Sequence, residues 1–103
     1  MASGRLGAVS PAALTNTTVY TVPASKLATF NVSITNTNAS PATIRLALAA
    51  TGTPTSSEWI LYNHTIEGYT TIERTGIILD ALKLVVTYCS IANISVVIYG
   101  MED

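Results

Sequence analysis

Charge is what this chain has least of. Lys and Arg number 5 and Asp and Glu 6 among 103 residues, 11% in all, about half the share usual in a soluble domain. With no basic stripe to neutralise phosphates, neither nucleic acid nor an anionic membrane surface is expected as a partner. Cys89 is the only cysteine, which excludes an internal disulfide. Its setting in the apolar run Lys83-Leu84-Val85-Val86-Thr87-Tyr88-Cys89 makes it a small strand residue rather than a reactive thiol. His64 is the only histidine, so a His–His metal pair is excluded, and its place in Tyr62-Asn63-His64-Thr65 reads as a solvated loop position at a strand end. Apolar stretches such as Ile44 to Ala50 are far too short or too interrupted to span a bilayer as a helix. Met1 to Leu14 has no signal-like apolar centre, so synthesis and folding in a cytoplasm are expected.

Catalytic groupings are equally scarce. Glu58, Glu67, Glu73 and Asp80 are scattered, with no short spacing that sets two of them on one strand face. The many Ser and Thr residues lack a His–Asp partnership nearby and are accounted for by solvent-facing strand positions. A non-enzymatic protein without cofactor or metal is therefore expected. Five Asn-X-Ser/Thr triplets, beginning with Asn16-Thr17-Thr18, read as the yield of an Asn/Thr/Ser-rich β-protein rather than as glycosylation sites.

What the chain has in abundance is alternation. Phe30, Val32 and Ile34 alternate with Asn31, Ser33 and Thr35, and after Asn36 to Pro41 the same period resumes with Ile44, Leu46 and Leu48. Each run is a strand with one apolar and one wetter face. Strands are expected at Val19–Val22, Lys26–Thr35, Ala42–Ala49, Glu58–Asn63, Thr70–Arg74, Gly76–Leu79, Leu82–Cys89 and Ile94–Tyr99, separated by turn residues such as Pro23-Ala24-Ser25 and Gly52-Thr53-Pro54. This is the rhythm of an antiparallel β-sandwich of about eight strands, jelly-roll or Ig-like. One domain over 16–103 fits the length, preceded by a Gly- and Ala-rich arm over 1–15. The expected core is Phe30, Val32, Ile34, Ile44, Leu46, Leu48, Trp59, Leu61, Ile72, Leu84, Val86, Ile94, Val96 and Ile98.

The last two strands are apolar on both faces. If they pair as a hairpin through Ser90 to Asn93, then Val85, Val97 and Tyr99 form an outer patch that Ile60 and Tyr62 extend. Either the Gly52–Glu58 loop or the arm covers that patch within one subunit, or it is a contact between subunits. Arg5 and Leu6 are the arm residues expected to dock on a neighbour. Arg45, Glu73 and Arg74, on expected strands, are candidates for cross-strand ion pairs.

Several segments carry a family resemblance. Ser3-Gly4-Arg5-Leu6-Gly7-Ala8, Asn16-Thr17-Thr18-Val19-Tyr20-Thr21-Val22-Pro23-Ala24, Phe30 to Asn36 and Glu73-Arg74-Thr75-Gly76, in that order, resemble small virion structural proteins of tailed bacteriophages, cyanophages especially. The resemblance implies a β-sandwich that decorates or cements the capsid in many copies. It places the chain in the virion, with other copies of itself, in a threefold arrangement, and the major capsid protein or a tail protein as partners. It implies no catalytic residues. The alternative is a tail or fibre accessory, such as a carbohydrate- or receptor-binding module, for which Tyr20, Trp59, Tyr62 and Tyr69 are the aromatic candidates.

Overall fold

A computed structural model describes residues 3–103, and every strand in it belongs to one of two four-stranded antiparallel sheets. The strands are β1 (Ser3–Val9), β2 (Thr17–Thr21), β3 (Ala28–Asn36), β4 (Ala42–Ala49), β5 (Trp59–Ile66), β6 (Thr71–Leu79), β7 (Leu84–Cys89) and β8 (Ile94–Glu102). One sheet runs β1-β8-β3-β6 and the other β2-β7-β4-β5. Strand 1 pairs with 8, 2 with 7, 3 with 6 and 4 with 5. An antiparallel ribbon paired in this nested way and wrapped into two layers is the jelly-roll connectivity, so of the two sandwich topologies expected the jelly roll is the one adopted.

The core lies between the sheets and follows from the period of two. Phe30, Val32 and Ile34 of β3, Ile44 and Leu46 of β4, Leu61 of β5 and Ile94, Val96 and Ile98 of β8 all bury there as expected. Leu48 and Ile72 pack at its margin. Tyr20, Val22, Ala28, Ala42, Ile66, Leu79, Val85 and Cys89 complete it. Burial pushes the Cys89 thiol up to about 11, which suits an inert core residue. The Tyr20 hydroxyl donates to the Glu102 carboxylate across the layers. Burial first, then that carboxylate, holds it above the ordinary phenol range.

Four expectations are corrected. First, the arm expected over 1–15 is, for Ser3–Val9, a strand laddered onto β8, with Ser3 opposite Met101 and Val9 opposite Val96. Gly7 permits close approach: a Cβ there would lie 2.6 Å from the Val19 carbonyl oxygen, so β1 presses against β2 where the two sheets meet. Met1 and Ala2, the arm's first residues, lie outside the described residues. Second, the two strands expected at 70–74 and 76–79 are one strand, β6. A bulge lies opposite Phe30–Val32, Gly76 has φ +70°, and its N–H donates to Asn31 Oδ1 at 3.1 Å. Third, β7 and β8 do not form a hairpin. They lie in opposite sheets, because Ser90–Asn93 crosses from one layer to the other, tied down where Thr37 and Asn38 donate to the Asn93 and Ala92 carbonyls. Fourth, His64 is a half-buried residue within β5, paired with Ile44, rather than a loop residue.

Candidate functional site

The β7 phase is the reverse of the expected one, and this relocates the outer patch. Val85 pairs with Leu48, faces inward and is 0% exposed. Leu84 and Val86 face outward, where Val86, Ala47 and Ala49 form a second small cluster under Trp59 and Leu84. A strand apolar on both faces carries no alternation from which its phase can be read. Val97 and Tyr99 lie on the outer face of the other sheet, Val97 half-buried between Ala8 and Ser33. The Tyr99 hydroxyl donates to Glu73 Oε2 at 2.5 Å, and that carboxylate raises its pKa above the ordinary phenol value. Val85, Val97 and Tyr99 therefore form no common patch. Ile60 and Tyr62 are exposed on edge strand β5, at 41% and 56%. Of the two docking residues, Arg5 is exposed opposite Tyr99, whereas Leu6 turns inward against the core.

The residues that do converge lie on the outer face of β5, β4 and β7. Trp59 and Tyr62 are three apart, a spacing that puts side chains on opposite faces of a regular strand. Two irregularities bring them together. Consecutive β4 residues Leu46 and Ala47 pair with Leu61 and Trp59, so Ile60 is an extra residue. Arg45 in turn faces the two residues Tyr62 and Asn63, because its neighbours Ile44 and Leu46 pair with His64 and Leu61. Asn63 takes the left-handed conformation this needs, with φ 51°. As a result the two rings meet edge to face, centroids 5.4 Å apart at 69°.

Arg45 holds this arrangement from below. Its guanidinium lies 4.4 Å from the Tyr62 centroid, 4.5 Å from that of Tyr88 and 6.0 Å from that of Trp59, and its Nε donates to Asn63 Oδ1 at 2.7 Å. The ring faces are negative and attract the cation. The expected cross-strand ion pairs of Arg45, Glu73 and Arg74 are not made among the described residues, where the one ion pair is Lys83–Asp80 at 3.1 Å. Arg74 donates instead to the Glu73 backbone carbonyl.

Beside the rings a cavity of about 320 Å³ is lined by Ser56, Trp59 and Tyr62. Ser56 comes from the connection between β4 and β5, which Glu58 staples: its carboxylate accepts from the Thr55 N–H at 2.8 Å and the Ala50 N–H at 3.0 Å. These bonds, that of Thr55 foremost, hold the Glu58 carboxyl below its ordinary range. The site thus offers two aromatic walls, a hydroxyl and no lining charge, an arrangement suited to binding rather than to proton transfer. No cluster of three metal-ligating side chains occurs among the described residues. Sequence reasoning singled out Trp59 and Tyr62 as candidate binding aromatics but did not include Arg45 and Tyr88 in a site. The signal for Tyr88 is its cross-strand pairing with Arg45, which needs the β4–β7 register.

Comparison of the chain with protein families, curated proteins and solved structures returns no match in any of the three.

Proposed function

We propose that this chain is a non-enzymatic virion structural protein, a capsid decoration or cement protein that binds the shell in many copies. The observation that carries this reading is the distribution of exposed apolar side chains. On the outer face of the β1-β8-β3-β6 sheet, Met101 and Ile78 flank Thr29 in one cross-strand row. Leu27 joins them through its paired backbone hydrogen bonds with Asp103. The three are 49%, 62% and 48% exposed. Ile60, on edge strand β5 of the opposite sheet, is a second exposed apolar group.

Full burial of a large apolar side chain stabilises by about 1.5–3 kcal/mol, against an association cost of roughly 4–15 kcal/mol. Either group alone gives weak pairing, and two groups used together on a lattice give tight attachment. The jelly-roll connectivity agrees, since this architecture recurs in virus shells, although that is a likeness of fold only. The segments that resemble tailed-phage virion proteins point the same way, and a threefold arrangement rests on that resemblance alone. Purified particles of the phage that encodes the chain should contain it in many copies by mass spectrometry. Ile78→Lys combined with Met101→Lys should lower that copy number while leaving thermal unfolding of the isolated domain nearly unchanged. Absence of the wild-type chain from particles overturns the proposal.

A further inference from the structure

We infer that the cavity between Ser56, Trp59 and Tyr62 is a binding site for a neutral pyranoside, a single sugar ring at the end of or within a glycan chain. This goes beyond attachment to a shell and does not depend on it. Three observations define the ligand class.

The first is shape. Two rings at 69° with centroids 5.4 Å apart form a corner rather than a plane. A volume of about 320 Å³ lies at the small end of ligand pockets. A flat protein surface does not enter such a corner, and a six-membered ring does. The second is chemistry. A pyranose carries C–H bonds of slight positive character on one face and hydroxyls around its rim. The C–H face matches the negative face of an aromatic ring, and the rim hydroxyls match the Ser56 hydroxyl, which both donates and accepts. The third is charge. No ionised group lines the cavity, and Arg45, the cation behind its walls, lies against Tyr62 and Tyr88 with its Nε bound to Asn63. A phosphate or sulfate finds no counter-charge in the lining, which argues against nucleotides and sulfated sugars.

The walls are also held in place before any ligand arrives. Trp59 packs on Ala47, Ala49 and Val86, Tyr62 stacks on Arg45, and the Ser56 loop is stapled by Glu58. Little ordering cost remains for binding.

Trp59 is the only tryptophan, so tryptophan fluorescence reports this site and no other. The test is a titration of the intact protein with methyl β-glucopyranoside, methyl β-galactopyranoside and methyl α-mannopyranoside, each to about 100 mM because single-ring sugars bind weakly. Saturation-transfer NMR on the same samples supplies a second readout. At least one sugar is expected to shift Trp59 emission saturably and to receive saturation on its ring protons. Tyr62→Ala, at an exposed position, should weaken that sugar about tenfold by removing one wall. Tyr69→Ala, removing a still more exposed aromatic on the β5–β6 loop, should leave binding unchanged. Absence of a response to all three sugars in both measurements overturns the inference. A response equally weakened by Tyr69→Ala, or unaltered by Tyr62→Ala, also overturns it. So does a Trp59 emission that changes with protein concentration alone, which assigns the corner to a second copy of the chain.

Discussion

Single polar side chains fix the loops of this protein, and Asn36 shows how. It is fully buried at the end of β3, where its Nδ2 donates to the Ser40 and Ile66 carbonyls and its Oδ1 accepts from the Asn38 backbone and side chain. Asn36→Ala leaves those carbonyls and the Asn38 N–H without partners, so a loss of about 3 kcal/mol is expected, read as a lower denaturant midpoint at unchanged slope. Glu58 gives a pH-dependent counterpart. Its folded pKa is depressed by the Thr55 and Ala50 N–H groups. The order it confers on the 50–58 loop is therefore present above the unfolded pKa and is lost as pH falls through the lowered folded value. Amide-exchange protection at Ala50 and Thr55 should drop across that acid range in the wild type and be low throughout in Glu58→Gln. Neither role is written in the sequence. Asn36 reads there as one more polar turn residue, and it takes the packing of β3 beside the β5–β6 loop to show what it joins. Inward residues such as Phe30, Val32, Ile44 and Ile98 are legible, because each alternates with a polar neighbour.

At the scale of elements, seven of the eight strands are recognisable from their apolar or alternating runs, β6 as two pieces, and each failure has a local cause. Period-two reasoning needs a polar face for contrast and an unbroken pleat. β7 has apolar residues on both sides, so its phase inverted. β5 carries two extra residues, so Trp59 and Tyr62 share a face that strict alternation denies them. β1 is small and glycine-bearing, so it resembles an arm, although Gly7 is there to let β1 approach β2. Deleting residues 1–9 removes the ladder to one edge of β8 together with the packing of Leu6 and Val9 on the core. A loss of about 3 kcal/mol, or about 15 °C in Tm, is expected by calorimetry. A truncated chain that melts with the wild type would mean that β1 adds nothing to the domain.

For the whole molecule, the fold class was accessible from turn spacing, but the pairing of strands was not. Only β4 and β5 are neighbours both in sequence and in a sheet. Every other ladder joins distant segments, and local signals carry no record of such partnerships. The same nesting has a topological consequence. Ser3 stands opposite Met101 on adjacent antiparallel strands, where facing Cα atoms lie about 4.5–5.5 Å apart. The backbone is thus nearly a ring, and where it is cut is close to arbitrary. A chain rewired so that Asp103 runs through about four Gly and Ser residues into Ser3, with new ends opened at Gly52-Thr53 in the exposed β4–β5 connection, should fold to the same eight strands. Its amide NMR spectrum should overlay that of the parent except near the two joins. Such a rewired domain would carry any fused cargo on the side of the β2-β7-β4-β5 sheet, where Gly52 lies near Thr18 of β2, a display geometry opposite in sheet to that of the parent.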